Sequence, residues 1–201
     1  KDLIVDFIDN TVNLFHLKQE PGVNGSIIVM DPKNGKIRAL SGGIRDDYIS
    51  GFNRATQANR QPGSVLKPFV YVEALRNGFA PNTLIIDDEV SIQQGEDNKY
   101  WVPQNYNKKF SGAIPMRQGI EKSKNVLTIR LADMTGLRKV SNALESFGIY
   151  DNVPAYHSIV LGSVETTLLK VVNAYSIIAN GGKKVKPRFI EKIETQGGQL
   201  V

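Results

Sequence analysis

Ser64 and Lys67 stand three residues apart in this 201-residue chain, within Arg60-Gln-Pro-Gly-Ser-Val-Leu-Lys-Pro-Phe69. If a helix begins near Ser64, residues at that spacing share a face, so the lysine amine can lie over the serine hydroxyl and take its proton. Backbone N–H groups at a helix start are unpaired and partly positive, which suits the oxyanion formed when a serine attacks a carbonyl. Pro68 fits an early helical position and has no N–H to bond back to the Ser64 carbonyl. The spacing therefore predicts a loosened, 3₁₀-like first turn around the nucleophile. The apolar run Phe69, Val70, Val72 and Leu75 is expected to bury the helix behind it.

Ser-x-x-Lys alone is a weak signal, since a chain of this length holds about one by chance, and taken by itself it is better explained as an exposed helix start. A second element changes the reading. Glu121-Lys-Ser-Lys-Asn-Val-Leu127 supplies Ser123 and Asn125, followed by a helical apolar pattern through Val126, Leu127, Ile129, Leu131 and Ala132. On a turn before that helix, the hydroxyl and the carboxamide can face one cleft. The plain structural use of Ser123 is helix capping.

Around these residues the sequence outlines the elements that must position them. Gly42-Gly43 and Arg45–Gly51 read as a polar loop. From Asn82 to Pro115 the pattern is irregular, punctuated by Pro and Gly; helices are then expected to about Gly181, with breaks at Gly136 and Gly148. Apolar residues recur at helical spacing from Leu3 to Phe15, so residues 2–17 read as an amphipathic packing helix. Pro187–Glu194 alternates like a strand, Thr195–Gly198 reads as a hairpin turn, and Gln199–Val201 as the start of a return strand.

These motifs carry a resemblance to the transpeptidase domain of class A penicillin-binding proteins, in the serine β-lactamase and DD-transpeptidase superfamily. Besides the two short motifs, Gly25–Gly43 looks like the family's opening hairpin and Phe52-Asn-Arg-Ala-Thr56 like the approach to its nucleophile. Leu161-Gly-Ser-Val-Glu-Thr-Thr-Leu-Leu169, continuing to Gly182, resembles a further signature; the likeness covers roughly residues 23–195. It implies an α+β fold, an antiparallel sheet flanked by helices with a mostly helical subdomain, incomplete at its C-terminal strands. Residues 1–22 would be an N-terminal helix and linker and 23–201 a partial transpeptidase domain.

Carried over by resemblance, Ser64 is the acylated nucleophile, Lys67 its general base and Ser123 a proton shuttle toward the leaving group. Asn125 would bind a substrate amide, and Trp101 and Gly63 would join it in substrate binding. The implied reaction is acyl transfer from D-alanyl-D-alanine stem peptides, cross-linking peptidoglycan, with β-lactams as covalent inhibitors and no cofactor. The implied setting is the periplasmic face of the bacterial inner membrane, in a parent that carries an upstream anchor and glycosyltransferase and that works with other cell-wall synthesis proteins.

In the family a Lys-Thr-Gly or Lys-Ser-Gly strand completes the oxyanion hole and helps depress the lysine pKa. This sequence has none, because Gly182-Lys-Lys-Val185 lacks the hydroxyl and the glycine. The chain is therefore expected to be a piece of a longer one, acylating slowly or not at all by itself, with Lys124 the nearest substitute cation.

Two other classes share parts of this pattern. A β-lactamase hydrolyses its acyl-enzyme, which in one group takes a Glu-x-x-Leu-Asn loop; Glu165-Thr-Thr-Leu-Leu169 lacks the asparagine, and Glu165 reads as a helix-start residue. A non-catalytic β-lactam or peptide sensor would have no need of Ser64, Lys67, Ser123 and Asn125 together. The net charge of +5 is dispersed, without a nucleic-acid motif beside Tyr100, Trp101 and Tyr106, so nucleic acid is not an expected partner. With no cysteine and two scattered histidines, the sequence implies no metal site. No run reaches the roughly 18–20 apolar residues that cross a bilayer, so membrane contact is expected only through an upstream anchor.

Overall fold

The structure is a computed structural model and describes residues 24–43, 51–94 and 99–195. The helix expected at 2–17, most of the polar loop at 45–51 and nearly all of the last turn and return strand lie outside these residues. The described chain is α+β, and its strands form three separate two-stranded antiparallel ladders instead of one sheet. It divides into two compact units.

The first unit takes in residues up to Arg60, Phe147–Ile149 and the chain from Thr166. Strands β1 (Ile27–Met30) and β2 (Ile37–Ser41) form the expected hairpin, Ile27 opposite Ser41, with a bulge between Val29 and Met30. Asp31 closes the turn by accepting from the Lys33 N–H and the Asn34 amide. Helix α5 (Leu168–Ala179) lies against β1. Thr167 caps α5 by accepting from the Lys170 N–H, so Glu165 stands two residues ahead of the cap and is not the helix-start residue expected. The alternating segment 187–194 does not form the expected strand. Its backbone bridges in parallel to Lys36 at Arg188, and Phe189, Ile190 and Ile193 are exposed.

The second unit takes in Gln61–Ser146 and Tyr150–Glu165. A 3₁₀ turn (Gly63–Leu66) leads into helix α1 (Lys67–Arg76). Strands β3 (Leu84–Asp87) and β6 (Gly112–Pro115) pair across an excursion that holds the β4 (Ile92–Gln94) and β5 (Lys99–Trp101) ladder. Helices α2 (Met116–Glu121), α3 (Asn125–Thr135) and α4 (Leu137–Ser146) follow, and a second 3₁₀ turn spans His157–Leu161.

Helix α3 is the hub of this unit. Val126, Leu127, Ile129, Leu131 and Ala132 are all fully buried, packed by α1, α4, β3 and the second 3₁₀ turn. On α1, Phe69, Val70 and Ala74 face inward with Leu66 from the turn, whereas Leu75, expected in the core, is exposed. The buried stripe thus starts before the helix and spares Leu75. Burying each large apolar side chain contributes about 1.5–3 kcal/mol, so this packing holds the first turn of α1 against the start of α3. Tyr71 adds a polar tie between the two helices, its hydroxyl 3.3 Å from Thr128 Oγ1.

Candidate active site

The turn that carries Ser64 rests on two glycines. Gly63 has φ of +59°, a conformation that side chains with a Cβ seldom adopt. Its N–H donates to the Gly162 carbonyl at 3.2 Å. Gly162 has φ of +75°, and a Cβ there would fall 2.3 Å from both the N and the O of Gly63. The Leu161-Gly-Ser segment therefore seats the turn through direct backbone contact.

Ser64 follows, with an exposed side chain. The hydrogen bonds of the turn begin one residue later, with Val65 N–H donating to the Pro62 carbonyl at 3.4 Å. The Lys67 N–H takes the Ser64 carbonyl, an i to i+3 bond in place of the one Pro68 cannot make. The Ser64 N–H is thus left ahead of the ladder, where a substrate oxygen can use it.

Lys67 is only 2% exposed. Its Nζ donates to the Ser123 carbonyl at 2.6 Å, to Asn125 Oδ1 at 2.7 Å and to Ser123 Oγ at 3.0 Å. The bond to Ser64 drawn from the sequence is not among them; the three donors of an ammonium are all taken up by the Ser-x-Asn segment. Burial disfavours the charged amine and pulls its pKa down from 10.5 to about 8. No second cation is required for that shift. Lys124, the substitute cation considered from the sequence, instead turns to Asp87, 2.8 Å away.

Ser123 joins α2 to α3 with φ of +50°, in the left-handed region that non-glycine residues rarely occupy. In that conformation its carbonyl and hydroxyl both bond the same amine. Asn125, the first residue of α3, is held at both ends of its carboxamide: Oδ1 accepts from Lys67, and Nδ2 donates to the Gln104 carbonyl at 2.9 Å. Lys124 occupies the cap position of α3 and supplies no side-chain cap. The cap comes from Asn105, whose Oδ1 accepts from the N–H groups of Asn125 (2.9 Å) and Val126 (3.3 Å).

Ser123, Asn125 and Lys67 are thus brought together, with Ser64 on the turn just before Lys67. Trp101, on β5, is half-buried, and no hydrogen bond joins it to Lys67, Ser123 or Asn125 among the described residues. Its segment takes part through Gln104 and Asn105. In sequence, Trp101-Val-Pro-Gln-Asn105 resembles the stretch that lines the family's active-site approach; what sequence reasoning missed was the bonds Gln104 and Asn105 make to the start of α3, together with Asp87 and the supporting role of Gly162. Asp87 did carry a signal: it falls in phase with buried Ile85 on an alternating strand, where an aspartate needs partners.

The model of the penicillin binding protein transpeptidase domain matches residues 25–200. The chain belongs to this family. Penicillin-binding protein 1A of Rickettsia bellii is 46% identical over 200 residues, which is all of this chain and 25% of that protein. The crystal structure of penicillin-binding protein 1A from Haemophilus influenzae superposes with a TM-score of 0.83 at 34% identity, covering 89% of this chain and 26% of that one. The PonA1 protein from Mycobacterium tuberculosis, solved in complex with penicillin V, shares the fold at a TM-score of 0.81 and 24% identity, covering 96% of this chain and 53% of that one. The chain spans about a quarter of the length of the curated penicillin-binding proteins it matches.

Proposed function

We propose that this chain is the nucleophile-bearing part of a peptidoglycan DD-transpeptidase of the serine type. The observation that carries the reading is the buried Lys67 amine, gathered by Ser123 and Asn125 and set one turn from exposed Ser64. Two of its three partners are carbonyl oxygens, which only accept, so a neutral amine keeps its two N–H donors on them. Its lone pair then faces the Ser123 hydroxyl. That arrangement suits an amine that draws a proton from Ser64 and passes it to Ser123.

In the forward step Ser64 Oγ bonds to the carbonyl carbon of a terminal D-alanyl-D-alanine pair, and its proton passes to Lys67. The Ser64 N–H supports the developing oxyanion. The peptide C–N bond breaks as Ser123 returns the proton to the leaving D-alanine. An amine of a neighbouring stem peptide then attacks the acyl-enzyme, forming the cross-link and regenerating the serine. Asn125 Nδ2, now on the Gln104 carbonyl, is the donor for a substrate amide, with Gly63 and Trp101 lining the approach. A β-lactam is the analogous acyl donor, its leaving amine tethered so that the adduct persists.

Residues 23–201 would carry the partial transpeptidase domain behind an N-terminal helix and linker of 1–22, in a parent that is anchored in the inner membrane, acts in the periplasm and works with other cell-wall synthesis proteins. Intact mass after benzylpenicillin treatment, with peptide mapping, tests the reading. A stable adduct on Ser64, absent from Ser64→Ala, is expected once the chain is extended through the hairpins that follow in the family; little or none is expected on the 201-residue chain alone. An adduct elsewhere, or one that survives Ser64→Ala, overturns the assignment.

A further inference from the structure

Among the described residues of the second unit Asp87 is a fully buried carboxylate, and two of its side-chain partners, Asn105 and Lys124, lead toward the candidate site. Its Oδ1 accepts from the Asn105 amide at 2.7 Å. Its Oδ2 pairs with Lys124 at 2.8 Å and accepts from the Ser111 N–H at 3.0 Å. Lys124 also donates to the Lys109 carbonyl at 3.2 Å, and Asn105 Nδ2 reaches the same carbonyl at 3.0 Å. One end of Asn105 is therefore fixed by Asp87 while the other caps α3 at Asn125. Two routes run from Asp87 to the cluster around Lys67. One passes through Asn105 to Asn125; the other passes through Lys124, which sits in the chain between Ser123 and Asn125.

A buried ion pair is a poor means of stabilising a fold, because the cost of desolvating both charges offsets their attraction. The pair does fit a geometric task. Ser123 must be held in a left-handed conformation that persists only where its surroundings over-determine it, and no local side chain caps the helix beside it. We infer that Asp87, Lys124 and Asn105 form a positioning frame for the acyl-transfer reaction. Asp87 and Lys124 touch no reacting atom, yet they set the Ser123 and Asn125 oxygens that hold the Lys67 amine. This rests on the reading of Ser64 as nucleophile.

The test uses the full-length protein with Asp87→Asn, Lys124→Met, the double variant and Lys124→Arg, beside wild type and Ser64→Ala. Acylation by benzylpenicillin is followed by intact mass, resolving the binding constant from the acylation rate constant between about pH 6 and 10, with Tm measured in parallel. Asp87→Asn and Lys124→Met are each expected to lower the acylation rate constant about ten- to a hundredfold with the binding constant little changed, and to move the pH midpoint of acylation. The double variant should be no slower than the slower single one, since both cut the same frame. Lys124→Arg, which keeps a cation for Asp87, should recover part of the rate.

If Asp87→Asn fails to fold, the contrast between Lys124→Met and Lys124→Arg decides. Wild-type rate constants and pH midpoint in the variants, with only Tm lowered, overturn the frame while leaving the nucleophile in place. Absence of a Ser64 adduct on the wild type overturns the acyl-transfer reading and the frame with it.

Discussion

As the proposed base, Lys67 would meet two opposing demands: burial enough to lose its proton near neutrality, and bonding enough to hold its nitrogen in one orientation. Burial brings its pKa to about 8, and three oxygens fix the amine. If the neutral amine is the base, its fraction falls about tenfold per pH unit below that value. Acylation of Ser64 in the full-length protein should therefore climb from about pH 6 and level off above about pH 8–9. Rate constants for β-lactam acylation across this range check the point, and a flat profile counts against Lys67 as the base. At this scale much of the site was legible in the sequence, because Ser64 with Lys67 and Ser123 with Asn125 are local pairs. What escaped was which atoms meet. The lysine reaches across to Ser123 and Asn125, 56 and 58 residues along the chain, and spacing within one helix carries no information about such a contact.

The elements matter most where two backbones touch. Gly63 and Gly162 approach so closely that any side chain at Gly162 collides with the nucleophile turn. Gly148 has the same φ of +75° but open space around it, which makes it a fair control. Alanine at either position should cost about 1–2 kcal/mol for the left-handed backbone. Only Gly162→Ala should also displace Ser64 and cut β-lactam acylation by about tenfold or more. Denaturant unfolding beside acylation rates separates the two effects; equal acylation in both variants removes the seating role of Gly162. The helices could be read from periodicity, and the first hairpin from the resemblance carried by Gly25–Gly43. The cap of α3 could not, since Asn105 lies 20 residues before Asn125 and Lys124 at the cap position suggests nothing. Residues 187–194 do not form the expected strand, since alternation marks a segment able to pair and does not by itself fix the pairing.

For the molecule as a whole, the buried lysine links stability to pH. Between about pH 8 and its ordinary value of 10.5, Lys67 is protonated in the unfolded chain and neutral in the folded one. Stability contributed at this position is therefore complete only above the ordinary value, rises with pH through the window and is lost as pH falls through about 8. The full span is on the order of 3 kcal/mol. Burial pushes Tyr71 and Tyr150 up to about 12, so they begin to oppose the trend above about pH 10. Denaturant unfolding at pH 8 and 10 should show stability rising for wild type, with the rise reduced in Lys67→Met; equal slopes in the two would mean the amine is not depressed in the folded state.

The capping of α3 from a distant segment also bears on the order in which the protein assembles. A helix whose start lacks a local cap gains little from forming early, and closing the loop from Asn105 to Asn125 carries an entropic cost that only the finished contacts offset. The oxygens that receive Lys67 should come into register only when that loop docks, so a nascent or partly folded chain leaves the Lys67 amine without Ser123 and Asn125 until the surrounding core is already in place.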